Sequence, residues 1–193
     1  MMIVVGIDPS LAATGVAVID LDDVLAPAVH VISSKPTGDT INDRLGRISR
    51  LVDGILDAAG LNRLDLAATG GPQARVVIEA PAYSSRTGHQ HDRSGLWWVL
   101  VDWCRAAKVP VVEVPPAVRA KYATGKGNAT KGAVIDATAR RFPHVDTRGD
   151  DNACDALWLA AIGAHLTGSP VVDLPVIHRD ALARVTPPKE WKP

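Results

Sequence analysis

Two cysteines, two methionines, two tyrosines and a single phenylalanine are all that the 193 residues contain of those types. Cys104 and Cys154 lie far apart, and no Cys-x-x-Cys spacing occurs. That excludes a zinc knuckle and speaks against a disulfide scaffold. No apolar run reaches the roughly 18 residues a membrane span needs. Met1–Gly6 is apolar but has no basic flank and no cleavage site, so it does not read as a signal peptide. A cytoplasmic protein with no membrane partner is expected. Net charge is also lacking, with 21 Lys+Arg against 21 Asp+Glu. What is present is an ordinary globular composition, 47% hydrophobic and 22% charged, which excludes global disorder.

A neutral total ordinarily counts against a nucleic-acid partner. Here the charge is unevenly spread. Between Ala117 and Arg148 the basic residues are Arg119, Lys121, Lys126, Lys131, Arg140, Arg141 and Arg148, against Asp136 and Asp146 alone. The segment carries a net +5 and leaves −5 to the rest of the chain. It is either a solvated charged face or a flank that meets phosphate.

The apolar pattern gives an ordered set of elements. Met2–Asp8 reads as a buried strand, Gly15–Asp20 as a second and Val29–Ser33 as a third, joined closely enough for an antiparallel meander. Asp39 or Thr40 then caps a helix. Its stripe of Ile41, Leu45, Ile48, Leu51, Val52, Ile55 and Leu56 runs at spacings of three and four. Arg75–Ala80 is a fourth strand, Leu96–Ala107 an apolar helix with Trp97, Trp98 and Trp103, and Val109–Val114 a fifth strand. A helical turn at Pro116–Tyr122, a helix at Thr130–Phe142 and another at Asp151–Leu166 follow. Residues 168–193 are Pro-rich and read as a tail with one short helix near His178–Val185, outside a domain of residues 1–167. A meander followed by parallel βαβ units predicts an α/β fold, a mixed five-stranded sheet flanked by helices, as in the ribonuclease H-like layout.

Two of these strands end in acids, Asp8 after Val-Val-Gly-Ile and Glu79 after Val-Val-Ile. A carboxylate at the end of a buried strand is costly without a cation or hydrogen-bond donors. If the two strands are parallel neighbours, their acids face one another, and a divalent ion relieves the repulsion. The alternative for either one is a cap on a nearby loop. Asp151 and Asp155 stand four apart on one helix face, and Asn152 lies three before Asp155. Asp151 lies where an acid doubles as a helix cap, whereas Asp155 is past the first turn. Three or four carboxylates from two strands and a late helix suit a hard-oxygen site for Mg²⁺ or Mn²⁺.

Four blocks in order resemble the RuvC-type Holliday-junction resolvases, in their phage branch. They are Gly6-Ile-Asp8-Pro-Ser10 with Thr14-Gly15-Val-Ala, then Val77-Ile-Glu79, then Gly125-Lys-Gly127-Asn-Ala-Thr-Lys131, then Asp151-Asn-Ala-Cys-Asp155-Ala-Leu. The resemblance runs from Met2 to Leu166. It implies a nuclease that cuts branched DNA, four-way junctions above all, as a homodimer. The cell would be a bacterial host if the gene is phage-borne. It also implies two divalent ions, Mg²⁺ or Mn²⁺, with Asp8, Glu79, Asp151 and Asp155 as catalytic metal ligands. The family's fourth ligand is commonly Asp or His three residues before the last Asp. That position is Asn152 here, so Asp151 is taken in its place, with Asn152 as an alternative, weaker oxygen ligand. The family's basic residue after the glycine loop maps to Lys131, either steadying the transition state or contacting phosphate. An earlier family Lys falls near Arg119 or Lys121, with the spacing off by one.

The polar loop Pro81–Arg93 follows Glu79 directly. Tyr83 is placed like the family's aromatic wedge and could stack on an unpaired base, while Arg86 and Arg93 could hold phosphates. Arg119, Lys121, Lys126 and Lys131 complete the expected DNA contacts. His89-Gln-His91 lacks a third ligand at useful spacing and is not read as a metal site. The tryptophan helix is too apolar all round to be half solvated. Its indoles belong either to the core or to a second subunit. Two other readings are open. An actin-like ATPase or kinase fragment shares the opening strand, Asp and Gly hairpin, but such proteins need two domains. A non-catalytic branched-DNA-binding protein would not need the four acids.

Overall fold

The computed structural model describes residues 2–63, 73–81 and 89–191. Five strands form one sheet: β1 (Met2–Asp8), β2 (Ala13–Asp20), β3 (Asp23–Ser33), β4 (Gln73–Glu79) and β5 (Val111–Val114). Their order is β3-β2-β1-β4-β5. β1 pairs antiparallel with β2, and β2 with β3. β1 pairs parallel with β4, and β4 with β5. The mixed ribonuclease H-like sheet expected from the element order is therefore the fold. β3 begins six residues earlier than its apolar run suggests. As an edge strand it pairs on one side only and so tolerates Pro27.

Helices cover both faces. α1 (Ile41–Ala58) opens with a capping box in which Thr40 accepts from the Asp43 N–H and Asp43 reaches back to the cap. α1 and α2 (Gln90–Ala106) bury Ile48, Leu51, Ile55, Leu96 and Leu100 against Ile3, Val5 and Ile7 of β1. On the other face lie α3 (Pro116–Thr124), α4 (Lys131–Arg141) and α5 (Asp151–Leu166), packed on Val4 and Val77. Trp158 is fully buried at the heart of that second core, where its Nε1–H donates to Thr138 Oγ1 at 2.8 Å. Cys104 and Cys154 are free and buried on opposite faces of the sheet. No helix among the described residues is long and apolar enough to cross a membrane.

α2 starts at Gln90, six residues ahead of the apolar run that announces it. Its first turn is polar because it is held from outside: Asp92 accepts from Arg44 on α1. The helix also has two unlike sides. Trp97 is buried, whereas Trp98 is 64% exposed and Val99 lies beside it in solvent. The expectation of an all-round buried helix therefore fails within one chain.

Residues 168–191 fold back on the α5 face. They contain α6 (Val176–Arg179) and a 3₁₀ turn at Asp180–Arg184, and they bury Leu174, Ala181, Val185 and Trp191 in the same core as Trp158. Arg75 of β4 lies over the Trp191 ring. The Trp191 indole N–H has no partner among the described residues, which offsets part of its burial. Trp191→Ala is expected to lower stability by about 3 kcal/mol, the lower end for an aromatic truncation. Urea unfolding measures this, and a loss below about 1 kcal/mol would mean that the tail does not share the core.

Candidate active site

Strand register brings the first acids together. Ile7 of β1 stands beside Ile78 of β4, so Asp8 and Glu79 follow one step further at the same sheet edge. Alternation puts Asp8 on the face of Val4, and Glu79 on that of Val77, both towards α5. Thr14 secures the turn after Asp8. It is fully buried, its Oγ1–H donates to the Ser10 carbonyl at 2.7 Å, and it accepts from the Ser10 N–H at 3.1 Å. The Glu79 backbone is held by Trp97, whose Nε1–H donates to its carbonyl at 2.9 Å.

α5 delivers the third acid. Asp150 caps it, accepting from the Ala153 N–H at 3.0 Å. The helix lies on the sheet backbone to backbone at two glycines. A Cβ on Gly6 would fall on the Ala156 carbonyl, and one on Gly15 would fall on the Asn152 carbonyl. This close approach sets Asp155 beside Asp8 and Glu79. Motif reading had not assigned these glycines a role, although both lie inside its first block.

The charges at this edge are strongly coupled. Burial, then Glu79 and Asp155, push the Asp8 carboxyl up to about 8. Burial raises Asp155 to about 7, against a lowering pull from Arg119. Arg119 joins the cluster: its Nε–H donates to Glu79 Oε2 and its Nη1–H to Asp155 Oδ1. Burial opposes its charge, but Glu79 and Asp155 outweigh that and hold the guanidinium above its ordinary value. Asp151 lies further out. Its hydrogen bond from Lys131 holds its carboxyl low, and the same bond raises Lys131.

The other expected site residues are less closely gathered. Asn152 turns its amide to Asp150 Oδ1 at 3.3 Å. Arg93 lines a cavity of about 260 Å³ with Asp8, Glu79, Trp97, Trp98 and Pro116. Lys121 is part-exposed on α3. Lys126 lines a separate surface hollow with Arg140, Arg141 and His178. Tyr83 and Arg86 lie outside the described residues. Arg119, expected at the DNA, is instead buried among the acids.

The four acids are not a ready-made ion cage. Among the described residues no three acidic, histidine or cysteine side chains stand close enough to share one ion. Two protein cations, Arg119 and Lys131, are paired into the group instead. The donor set nonetheless fits a hard divalent cation. It is all carboxylate oxygen, and Asp8 and Asp155 are raised by burial and by their neighbouring carboxylates, a condition that a bound cation would relieve.

No protein-family model matches the chain. Individual relatives do. The crossover junction endodeoxyribonuclease RuvC of Delftia acidovorans is 32% identical over 164 residues, 85% of each chain. The chain belongs to the RuvC family. The RuvC of Paracidovorax citrulli is 31% identical over the same share of both chains. Thermus thermophilus RuvC has the same fold, with a TM-score of 0.62 at 18% identity over 97% of this chain and all of that one. The T. thermophilus RuvC structure in complex with Holliday junction substrate gives a TM-score of 0.60 at 20% identity. All four RuvC-like blocks fall within the described residues. They lie on β1 and β2, on β4, on the loop into α4, and on α5.

Proposed function

We propose that this RuvC-family chain is a structure-selective endodeoxyribonuclease that resolves Holliday junctions by paired nicking. The supporting observation is the meeting of Asp8, Glu79 and Asp155 at one sheet edge, in a chain that aligns with RuvC relatives over most of its length. Residues 1–167 form the nuclease unit in this reading, with the tail from residue 168 closing its second core through Leu174, Ala181, Val185 and Trp191.

Asp8, Glu79, Asp155 and Asp151 would hold two ions, Mg²⁺ or Mn²⁺. When bound, these supply Lewis acidity at the scissile phosphate and activate the attacking water. Asp8, on which both Glu79 and Asp155 act, would serve both ions. Lys131 is 81% exposed and, among the described residues, has its ion pair with Asp151 at the rim, so it can turn to an incoming phosphate. The cavity beside Asp8, walled by Trp97 and Trp98, gives room for the strand to be cut. Tyr83, Arg86 and Arg93 would meet DNA at the branch, and Lys121 and Lys126 its backbone.

A four-way junction has two symmetric strands, which calls for two sites. The exposed apolar residues of α1 and α2, Ile41, Leu45, Trp98 and Val99, support a second copy as the occupant of that face. The test is nicking of a synthetic four-way junction in Mg²⁺ or Mn²⁺, with no nucleotide added. Wild-type protein should cut opposing strands in pairs, and Leu45→Glu, on α1 and outside the cavity beside Asp8, should sediment as a monomer and leave single nicks. Cleavage that requires ATP, or binding without cleavage, would overturn the proposal.

A further inference from the structure

Four carboxylates crowd the sheet edge, and the chain brings two cations of its own to them. They are held in different ways. Lys131 reaches Asp151 at the rim and is mostly in solvent. The Arg119 side chain is only 10% exposed, and its guanidinium spans two acids on separate elements, Glu79 at the end of β4 and Asp155 on α5. Asp8, the third acid, also acts on it electrostatically. α3 aims it there: Pro115-Pro116 ends β5 and starts the helix at the same sheet edge, so Arg119 falls in its first turn.

A guanidinium fork that bridges a strand acid and a helix acid does the work of an ion at that spot, with one charge instead of two. The oxygens that accept from the guanidinium, Glu79 Oε2 and Asp155 Oδ1, are ones a divalent ion between the two acids would also draw on, and the fixed positive charge beside them repels that ion. We infer that Arg119 is a resident counter-ion: it keeps Glu79 and Asp155 together in the metal-free protein and competes with divalent metal for the same oxygens. The inference rests on the metal centre proposed above. It makes Arg119 a positioning residue. Metal must enter against the arginine's charge and loosen its hold on the acids, so the protein gives up part of its intrinsic ion affinity in return for a site that stays assembled while empty of metal.

The test is Mn²⁺ binding to the full chain without DNA, by calorimetry and by electron paramagnetic resonance of free Mn²⁺. Wild type is compared with Arg119→Gln and Arg119→Lys. Arg119→Gln should bind Mn²⁺ about tenfold more tightly. In chelator it should melt below wild type, and it should regain more on adding Mn²⁺. Arg119→Lys, whose single ammonium reaches one acid well and the other poorly, should fall between the two. Unchanged or weaker Mn²⁺ affinity in folded Arg119→Gln would overturn the competition. If that variant fails to fold, Arg119→Lys decides alone: tighter binding supports the inference and equal or weaker binding refutes it. Absence of Mn²⁺ binding by wild type would be a different failure, since it removes the metal centre itself.

Discussion

Asp8→Asn will reduce junction cleavage by about a thousandfold or more, and it will make the metal-free protein more stable. The two effects have one source. Asp8 lies near Glu79 and Asp155, and its carboxyl is pushed up to about 8 by burial and by those neighbours. In the unfolded chain it ionises near its ordinary 3.8. Between those values the folded state holds a proton that the unfolded state has lost. Stability therefore falls as pH rises from about 4 to 8. Asp155, raised to about 7, adds a slope of the same sign. Asparagine has no proton to lose, so Asp8→Asn flattens the profile and raises the midpoint at alkaline pH. Each kcal/mol moves the melting midpoint of a chain this size by about 2–4 °C.

Urea unfolding at pH 5 and pH 9 in chelator measures the slope, and repetition with Mg²⁺ measures its relief. Wild type should weaken towards pH 9 and recover with metal, while Asp8→Asn should do neither to the same extent. Near-wild-type nicking by the variant, or no gain in its alkaline stability, would sink the assignment of Asp8.

Gly6→Ala is expected to have the second largest effect, although it touches no charged group. The added Cβ would strike the Ala156 carbonyl and the Ala160 amide, both in the backbone of α5. A helix backbone cannot yield as a side chain can, so α5 must lift from the sheet. Overfilling of this kind costs about 1–3 kcal/mol, and a rigid obstacle puts it at the upper end. The lift also carries Asp155 away from Asp8, and a misplacement of about 1 Å is enough for a hundredfold loss of rate. Gly132→Ala on α4 is the control. A Cβ there meets nothing within 4 Å, so it should stabilise by about 0.5–1 kcal/mol. If Gly6→Ala melts and cleaves like wild type, the approach of α5 to the sheet does not limit the site.

Asp8 and Glu79 were legible because a carboxylate at the end of an apolar run is conspicuous on any sheet. α5 was legible from its apolar surface, and the Asp151–Asp155 spacing placed both acids on it. The first turn of α2 was not, because Gln90–Arg93 are polar and are held by Arg44, a partner 48 positions away from Asp92. Arg119 was misread for a related reason. Within a run of Lys and Arg it looked like one more phosphate contact, and charge counts do not say which cation is buried. A signal was nonetheless available: Pro115-Pro116 ends a strand at the sheet edge that carries the acids, and Arg119 follows within one turn. Trp97 and Trp98 are adjacent in sequence and opposite in environment, which composition alone could not separate.

The site is divided between a rigid inner part and an adjustable rim. At Asn152 the side-chain amide donates to Asp150 Oδ1, and the backbone carbonyl meets the sheet at Gly15. The grip of α5 on the sheet at this turn is thus made by backbone, while the side chain at 152 bears on the helix cap. A lineage can exchange the residue at that position during descent without rebuilding the core, whereas Gly6 and Gly15 allow no such drift. Exchange at 152 therefore bears on the cap of α5 and on the site, since the Asn152 amide donates to Asp150 as an Asp there could not.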